Sequence, residues 1–211
     1  MFFDKKPASD FDPGYPELPL NLRVGAILAV DAAEVLRFTG LDLSWRPPEG
    51  EMLATAVSSM ELFGLRLVRA YARSGDQDLL FQFNFDASGA LLDINLFGLA
   101  EEVRPATADD WGMWLDPGGL IGGTDLNAPN GHHYLRQWGE GDYAEPVTVS
   151  ERIYADPKKP PRVVDHRLSL YARTVGEEDE NILLSADTDI EESLVRAWIG
   201  LNLSPVGVKV Y

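Results

Sequence analysis

The stretch "DLLFQFNFDASGALLDINLFGL", Asp78 to Leu99, decides the fold. Phe81, Phe83 and Phe85 stand at alternate positions, so they share one face of an extended strand. "DASG" then supplies the small and polar residues of a turn, and Leu92, Ile94 and Leu96 share a face on the return. The unit reads as a β-hairpin with one apolar face.

The same alternation recurs on both sides of it. Upstream lie "LDLSW" (Leu41 to Trp45), "EMLATAVSSMEL" and "LRLVRAYAR". The last puts Leu65, Leu67 and Arg69 on one face and Val68 and Ala70 on the other. Downstream come residues 131–138, "PVTVSERIY", "RVVDHRLSLYART", "NILLSAD" and "SLVRAWIGLNL". In the last of these, Val195, Ala197, Ile199, Leu201 and Leu203 alternate strictly. Short connections between successive strands favour antiparallel meanders. Two short helices interrupt the pattern. One runs from about Ala32 to Phe38, with Asp31 and Glu34 at capping-box spacing and Gly40 as the stop. The other follows Thr107, with Trp111, Trp114 and Leu115 on one stripe. The expected class is mainly β, or α+β, with antiparallel sheets of about ten strands. Residues 1–19, with Pro7, Pro13, Pro16 and Pro19, read as an extended tail. Residues 20–211 read as a single β-rich domain, with room for two subdomains meeting near 105–130.

Composition narrows the function. The 211 residues carry 34 acidic and 18 basic side chains, a net charge of −16. Such a surface repels nucleic-acid phosphates and anionic headgroups, so no nucleic-acid partner is expected. The basic run "DPKKPPR", Asp156 to Arg162, reads as a hairpin connection. There is no cysteine, which removes disulfides, thiolate catalysis and cysteine-based metal sites. The first twenty residues lack the apolar core of a signal peptide, and no apolar run approaches the ~20 residues that cross a bilayer. The expectation is a cytoplasmic protein with no transmembrane segment. Membrane contact would be peripheral at most, through Phe2 and Phe3 beside Lys5 and Lys6.

Known catalytic patterns are missing. "GGLIGGT", Gly118 to Thr124, has no lysine and reads as a tight glycine turn. No G-x-S-x-G or H-E-x-x-H occurs. Adjacent His132 and His133 point to opposite sides of a strand, which defeats a paired metal role. No catalytic residue, metal site or cofactor is therefore assigned. "DTDIEE" (Asp187 to Glu192) and "EEDE" (Glu177 to Glu180) read as solvated acidic turns. His166 shares a face with Leu168, Leu170 and Ala172 and reads as a satisfied, partly buried histidine.

The richest stretch is "NGHHYLRQWGEGDY", Asn130 to Tyr143. As a strand, it puts His132, Tyr134, Arg136 and Trp138 on one face, and His133, Leu135 and Gln137 on the other. Arg136 stands between two rings and could lie on Tyr134 or Trp138. Two readings follow. In the preferred one, Tyr134 and Trp138 pack against the Trp111/Trp114 helix across the glycine loop. In the other, Trp111, Trp114, His132, Tyr134, Arg136 and Trp138 line a cleft where Arg136 holds an anionic group.

The succession "WLDPGGLIGG", "HHYLRQWGEG" and "PVTVSERIYAD" resembles the YjfK-like bacterial proteins, a family of unknown function. Trp114, Gly118 to Gly122, Tyr134, Arg136, Trp138, Gly139 and Tyr154 carry the likeness, which runs from about Leu20 to the end. The resemblance brings no catalytic residue. It implies a bacterial cytoplasmic protein encoded near a phage-shock-like coiled-coil protein, a small membrane protein and an ATP-grasp ligase. That neighbourhood points to envelope stress by association. Two functions are expected to compete. The first is a non-enzymatic binding or adaptor protein that docks a basic protein partner on its acidic surface. The alternative is a small-ligand binder or enzyme with the aromatic and arginine cleft.

Overall fold

The computed structural model describes residues 14–128 and 130–211. The elements are, in order, β1 (Ile27–Val30), α1 (Ala32–Leu36), β2 (Gly50–Leu62), β3 (Leu65–Ser74), β4 (Gln77–Phe85), β5 (Leu91–Val103) and α2 (Ala108–Leu115). They continue with β6 (Asp125–Asn127), β7 (His133–Arg136), β8 (Val147–Tyr154), β9 (Arg162–Val175), β10 (Glu178–Thr188), β11 (Ser193–Leu203) and β12 (Val208–Val210). Two four-stranded meanders, β2 to β5 and β8 to β11, form the framework. They join twice, through β5 with β11 and through β2 with β8. The second junction is short, pairing Val57 with Tyr154, Ser58 with Ile153 and Ser59 with Arg152. It closes the sheet into an eight-stranded antiparallel barrel.

The antiparallel pairing is as expected, and closure into a barrel is the departure from the expected sheets. The strand content was otherwise legible. Twelve strands form among the described residues rather than about ten. Leu41–Trp45 is not a strand, and β1, β6 and β12 are short additions. β1 and β12 extend one side of β2, and β7 and β6 extend one side of β9. Pro7 and Pro13 of the expected tail lie outside the described residues.

Each barrel strand sends alternate side chains inward and outward. The outer face of β2 to β5 carries Val57, Val68, Ala70, Phe81, Phe83, Ile94 and Leu96, all buried. It is covered by Leu18, Leu22, Leu28 and Phe38 from the N-terminal third of the chain. A bulge between Asn84 and Phe85 shifts the phase of the central hairpin. Leu91 therefore packs on this core and Leu92 is 48% exposed, contrary to the simple alternation. The outer face of β9 to β11 carries Tyr171, Ile182, Leu184, Val195 and Ile199. Ile121, Tyr134, Trp111, Trp114 and Leu126 cover it.

Both helices form where expected. Thr107 and Asp110 make the reciprocal bonds of a capping box on α2. At α1, Asp31 makes no side-chain cap bond. Glu34 is instead buried, and the Ser204 N–H donates to its Oε1 at 2.7 Å. Among the described residues, no helix is long and apolar enough to cross a membrane.

Candidate functional site

The inward residues are not those of an oily core. One barrel end is apolar, with Met60, Leu62 and Leu67 packed beneath Trp138, whose ring meets Phe63 edge-on at 5.4 Å. The middle and the other end are polar. A cavity of about 330 Å³ lies there, bounded by residues from all eight barrel strands. Its apolar wall includes Leu80, Leu99, Leu168, Leu183 and Trp198. Its charged wall includes Arg69, His166, Asp187 and Arg196.

Glu151 organises the charged wall from behind, fully buried at 0% exposure. Its carboxylate accepts from Ser58 Oγ, Arg69 Nη1 at 3.1 Å, Tyr71 OH at 2.9 Å and His166 Nε2 at 2.7 Å. The other nitrogen of His166, Nδ1, lies 2.7 Å from Asp187 Oδ1. Asp187 also accepts from Ser185, and from Arg196 Nη1 at 2.7 Å. Arg196 Nε reaches Glu102 at 3.0 Å. On the other side, Arg69 Nε donates to Gln82, and Gln82 to Asn84. Asn84 and Asn95 both donate to Asp93. One hydrogen-bonded network thus crosses the barrel.

The charge states follow from this geometry. Burial pushes the Glu151 carboxyl up, but the Arg69 charge and the bonds from His166 and Ser58 outweigh it, holding it at about 2. Burial pulls His166 down, but its bonds to Asp187 and Glu151 raise it to about 9. Burial also raises Asp187, and the His166, Ser185 and Arg196 contacts bring it below its ordinary value. At neutral pH the network holds an imidazolium between two carboxylates, flanked by two guanidiniums. Burial, reinforced by the Glu151 charge, pushes the Tyr71 phenol well up, so it remains a neutral donor.

The six residues singled out in the sequence do not share one cleft. Tyr134 is buried, and its OH donates to Glu180 Oε2 at 2.7 Å. His132 lies beside it, with Nδ1 2.8 Å from Ser44 Oγ and Nε2 3.2 Å from Asp42. Arg136 stacks on neither ring. Its Nη1 donates to Gly122 O and its Nη2 to Gly141 O at 2.6 Å, which ties the two glycine loops together. Arg173 takes the stacking role, 5.4 Å over the Tyr134 ring. Trp138 packs at the barrel end rather than against α2, because the chain turns after Arg136. The glycine loop is as tight as expected. Gly122 has φ +103°, and a Cβ there would strike Ala144 O.

Trp114 alone of the six lines a second cavity, outside the barrel, of about 530 Å³. Its floor is Ile182, Leu184 and Ile199, Trp45 forms another wall, and Ser44 and Asn130 supply a polar corner. The Trp45 indole lies against Gly98, whose missing Cβ leaves the room. Its Nε1 is buried without a hydrogen-bond partner among the described residues.

Both acidic runs contain carboxylates hidden from solvent, which corrects their reading as wholly solvated turns. Glu180 is fully buried and pairs with Arg173 at 2.7 Å. Asp187 is the carboxylate on His166. Asp189 and Glu192 sit on the turn and pair with Arg162, the Asp189 side chain covered and the Glu192 side chain partly exposed. His166 is satisfied, as expected, but by two carboxylates inside a barrel. Sequence reasoning missed Glu151, Arg69 and Arg196 as a set. The available signal was a charged residue at an inward alternate position of each strand, which a solvent-facing strand would also show.

A family profile described as "Protein of unknown function (DUF2491)" matches residues 1–209. The chain belongs to the DUF2491 family. The resemblance drawn from residues 111–154 pointed to a family of unknown function, and that much agrees. No curated protein and no solved structure matches this DUF2491 chain. The residues that carried the resemblance have packing roles here. Arg136 and Gly122 lock two loops, Trp138 fills a barrel end, and Tyr154 meets Tyr15 edge-on at 5.5 Å.

Proposed function

We propose that this DUF2491 protein binds a small molecule inside its barrel, without turning it over. The observation that carries this reading is the cavity of about 330 Å³ bounded by all eight strands. It lies within the size range of small-ligand sites, and it pairs an apolar wall with a few fixed polar groups. The shifted groups around His166 and Glu151 also gather there, as they do at functional sites. Buried ionic groups are weak contributors to stability, so an interior that buries Arg69, Glu151, His166 and Asp187 together favours a role beyond holding the fold. The outer cleft between Trp45 and Trp114 supports a second location for the ligand. The net charge of −16 favours in addition a basic partner on the outer surface. A role in envelope stress rests on the resemblance alone.

A thermal-shift screen against a panel of small metabolites tests the interior site. Ala56 lies on the cavity wall, so Ala56→Leu fills the space from β2. A compound at 100 times its Kd stabilises the folded state by about 2.7 kcal/mol. The expected result is a Tm increase in the parent that Ala56→Leu loses. Hits that survive Ala56→Leu and vanish in Trp114→Ala place the ligand in the outer cleft and reject the interior reading.

A further inference from the structure

We infer that the barrel cavity takes a small amphipathic acid, with its carboxylate on Arg69 and Arg196 and its apolar stem on Leu80, Leu183 and Trp198. This inference rests on the interior reading above and adds the chemistry of the ligand. It comes from a census of the polar atoms on the cavity wall. The carboxylates beside the two arginines are already taken, and the half-exposed Asp78 elsewhere on the wall accepts from Arg73. Each Asp187 oxygen has partners in His166, Ser185 or Arg196, and each Glu102 oxygen has one in Arg196 or Arg104. The donors are not all taken. Arg69 donates through Nε to Gln82 and through Nη1 to Glu151. Arg196 donates through Nε to Glu102 and through Nη1 to Asp187. Among the described residues, Arg196 Nη2 donates to nothing, and beyond Gln82 and Glu151 the Arg69 guanidinium, only 3% exposed, meets Tyr71 alone, so each keeps N–H groups to spare.

Two guanidiniums on one cavity wall therefore keep unused N–H groups, and no unused carboxylate opposes them. A cationic or donor-rich ligand would find no free carboxylate beside the two arginines. An oxyanion would complete both arginines with charge-assisted bonds, the pairing for which the planar guanidinium is suited. Leu79, Leu80, Leu99, Leu168, Leu183 and Trp198 give the wall a continuous aliphatic and aromatic part, which suits a hydrocarbon stem better than a sugar or a nucleotide. The network around His166 then has a purpose. It fixes the two arginines in place before the ligand arrives, so that less ordering is required on binding.

Calorimetric titration of the full chain with octanoate and with octan-1-ol at pH 7 tests the inference. Octanoate is expected to bind at least tenfold more tightly than the alcohol. Arg196→Met should bring octanoate to within about threefold of the alcohol and leave the alcohol unchanged. That variant keeps Asp187 bonded to His166 and Ser185, and its fold is checked by circular dichroism. Equal binding of acid and alcohol in the parent overturns the carboxylate assignment and leaves the cavity reading standing. Octanoate binding that Arg196→Met does not weaken also overturns it. If neither compound binds, the interior reading falls and the assignment with it.

Discussion

Glu151→Leu should destabilise the protein by about 3–5 kcal/mol, the loss expected when one partner of a buried ion pair is removed. The carboxylate accepts from four side chains at once, Ser58, Arg69, Tyr71 and His166. Ser58, Arg69 and His166 are all buried, with Arg69 3% and His166 5% exposed, so bulk water does not replace the lost acceptor for them. The variant leaves a buried guanidinium without its counter-ion and deprives His166 of one of its two carboxylates. Urea denaturation followed by circular dichroism measures the change. The combined replacement Glu151→Leu, Arg69→Met, His166→Leu should recover most of the loss, because an apolar set of similar volume often matches a buried ionic one. A recovered fold that no longer binds octanoate would mark the network as a device for binding. A Glu151→Leu variant as stable as the parent would show that the interior charges are not organised around this carboxylate.

The second large effect is alkaline. His166 rises from its ordinary value of 6.5 to about 9 in the folded protein, through its bonds to Asp187 and Glu151 working against burial. A histidine raised in this way contributes stability that is fully present below pH 6.5. That contribution disappears as the pH climbs through 9, and is worth on the order of 3 kcal/mol. The carboxylates act in the opposite direction. Glu151 at about 2 and the lowered Asp187 stabilise above the usual carboxylate range and lose that contribution as the pH falls toward 2. Unfolding free energies at pH 6, 7.5 and 9 should therefore decline steadily across this window. In His166→Asn the decline should flatten. A parent whose stability does not change between pH 6 and 9 would contradict the assigned imidazolium.

Much of this fold was legible in the sequence, and the closure was not. The Phe81, Phe83, Phe85 stripe and its return gave the central hairpin, and the stripe is buried against Leu18, Leu28 and Phe38. The opposite face of the same strands reads Leu80, Gln82, Asn84, then Asp93, Asn95, Phe97. Polar residues at these positions look like the wet face of an open sheet. In the barrel they point inward and bond to one another. Periodicity gives which residues share a face, but not whether the polar face turns toward water or toward the other strands. The same ambiguity concealed the site. Arg69, Glu151, His166, Asp187 and Arg196 come from five different strands, and the β2–β8 junction brings Arg69 of the first meander to the other four. The stretch from Asn130 to Tyr143 attracted attention because its aromatic residues are dense in sequence. Tyr134, Arg136 and Trp138 instead fasten three separate parts of the molecule.

The two cavities are separated by a single layer of sheet. Leu183 faces the barrel interior, while its neighbours Ile182 and Leu184 face the outer cleft. Titrating octanoate into protein labelled at the isoleucine and leucine methyl groups, and following their NMR signals, therefore reads the location of the ligand directly. The interior site requires the largest shifts at Leu80, Leu168 and Leu183, with little movement at Ile182, Leu184 and Ile199. Shifts at Ile182, Leu184 and Ile199 with Leu183 unmoved would contradict it.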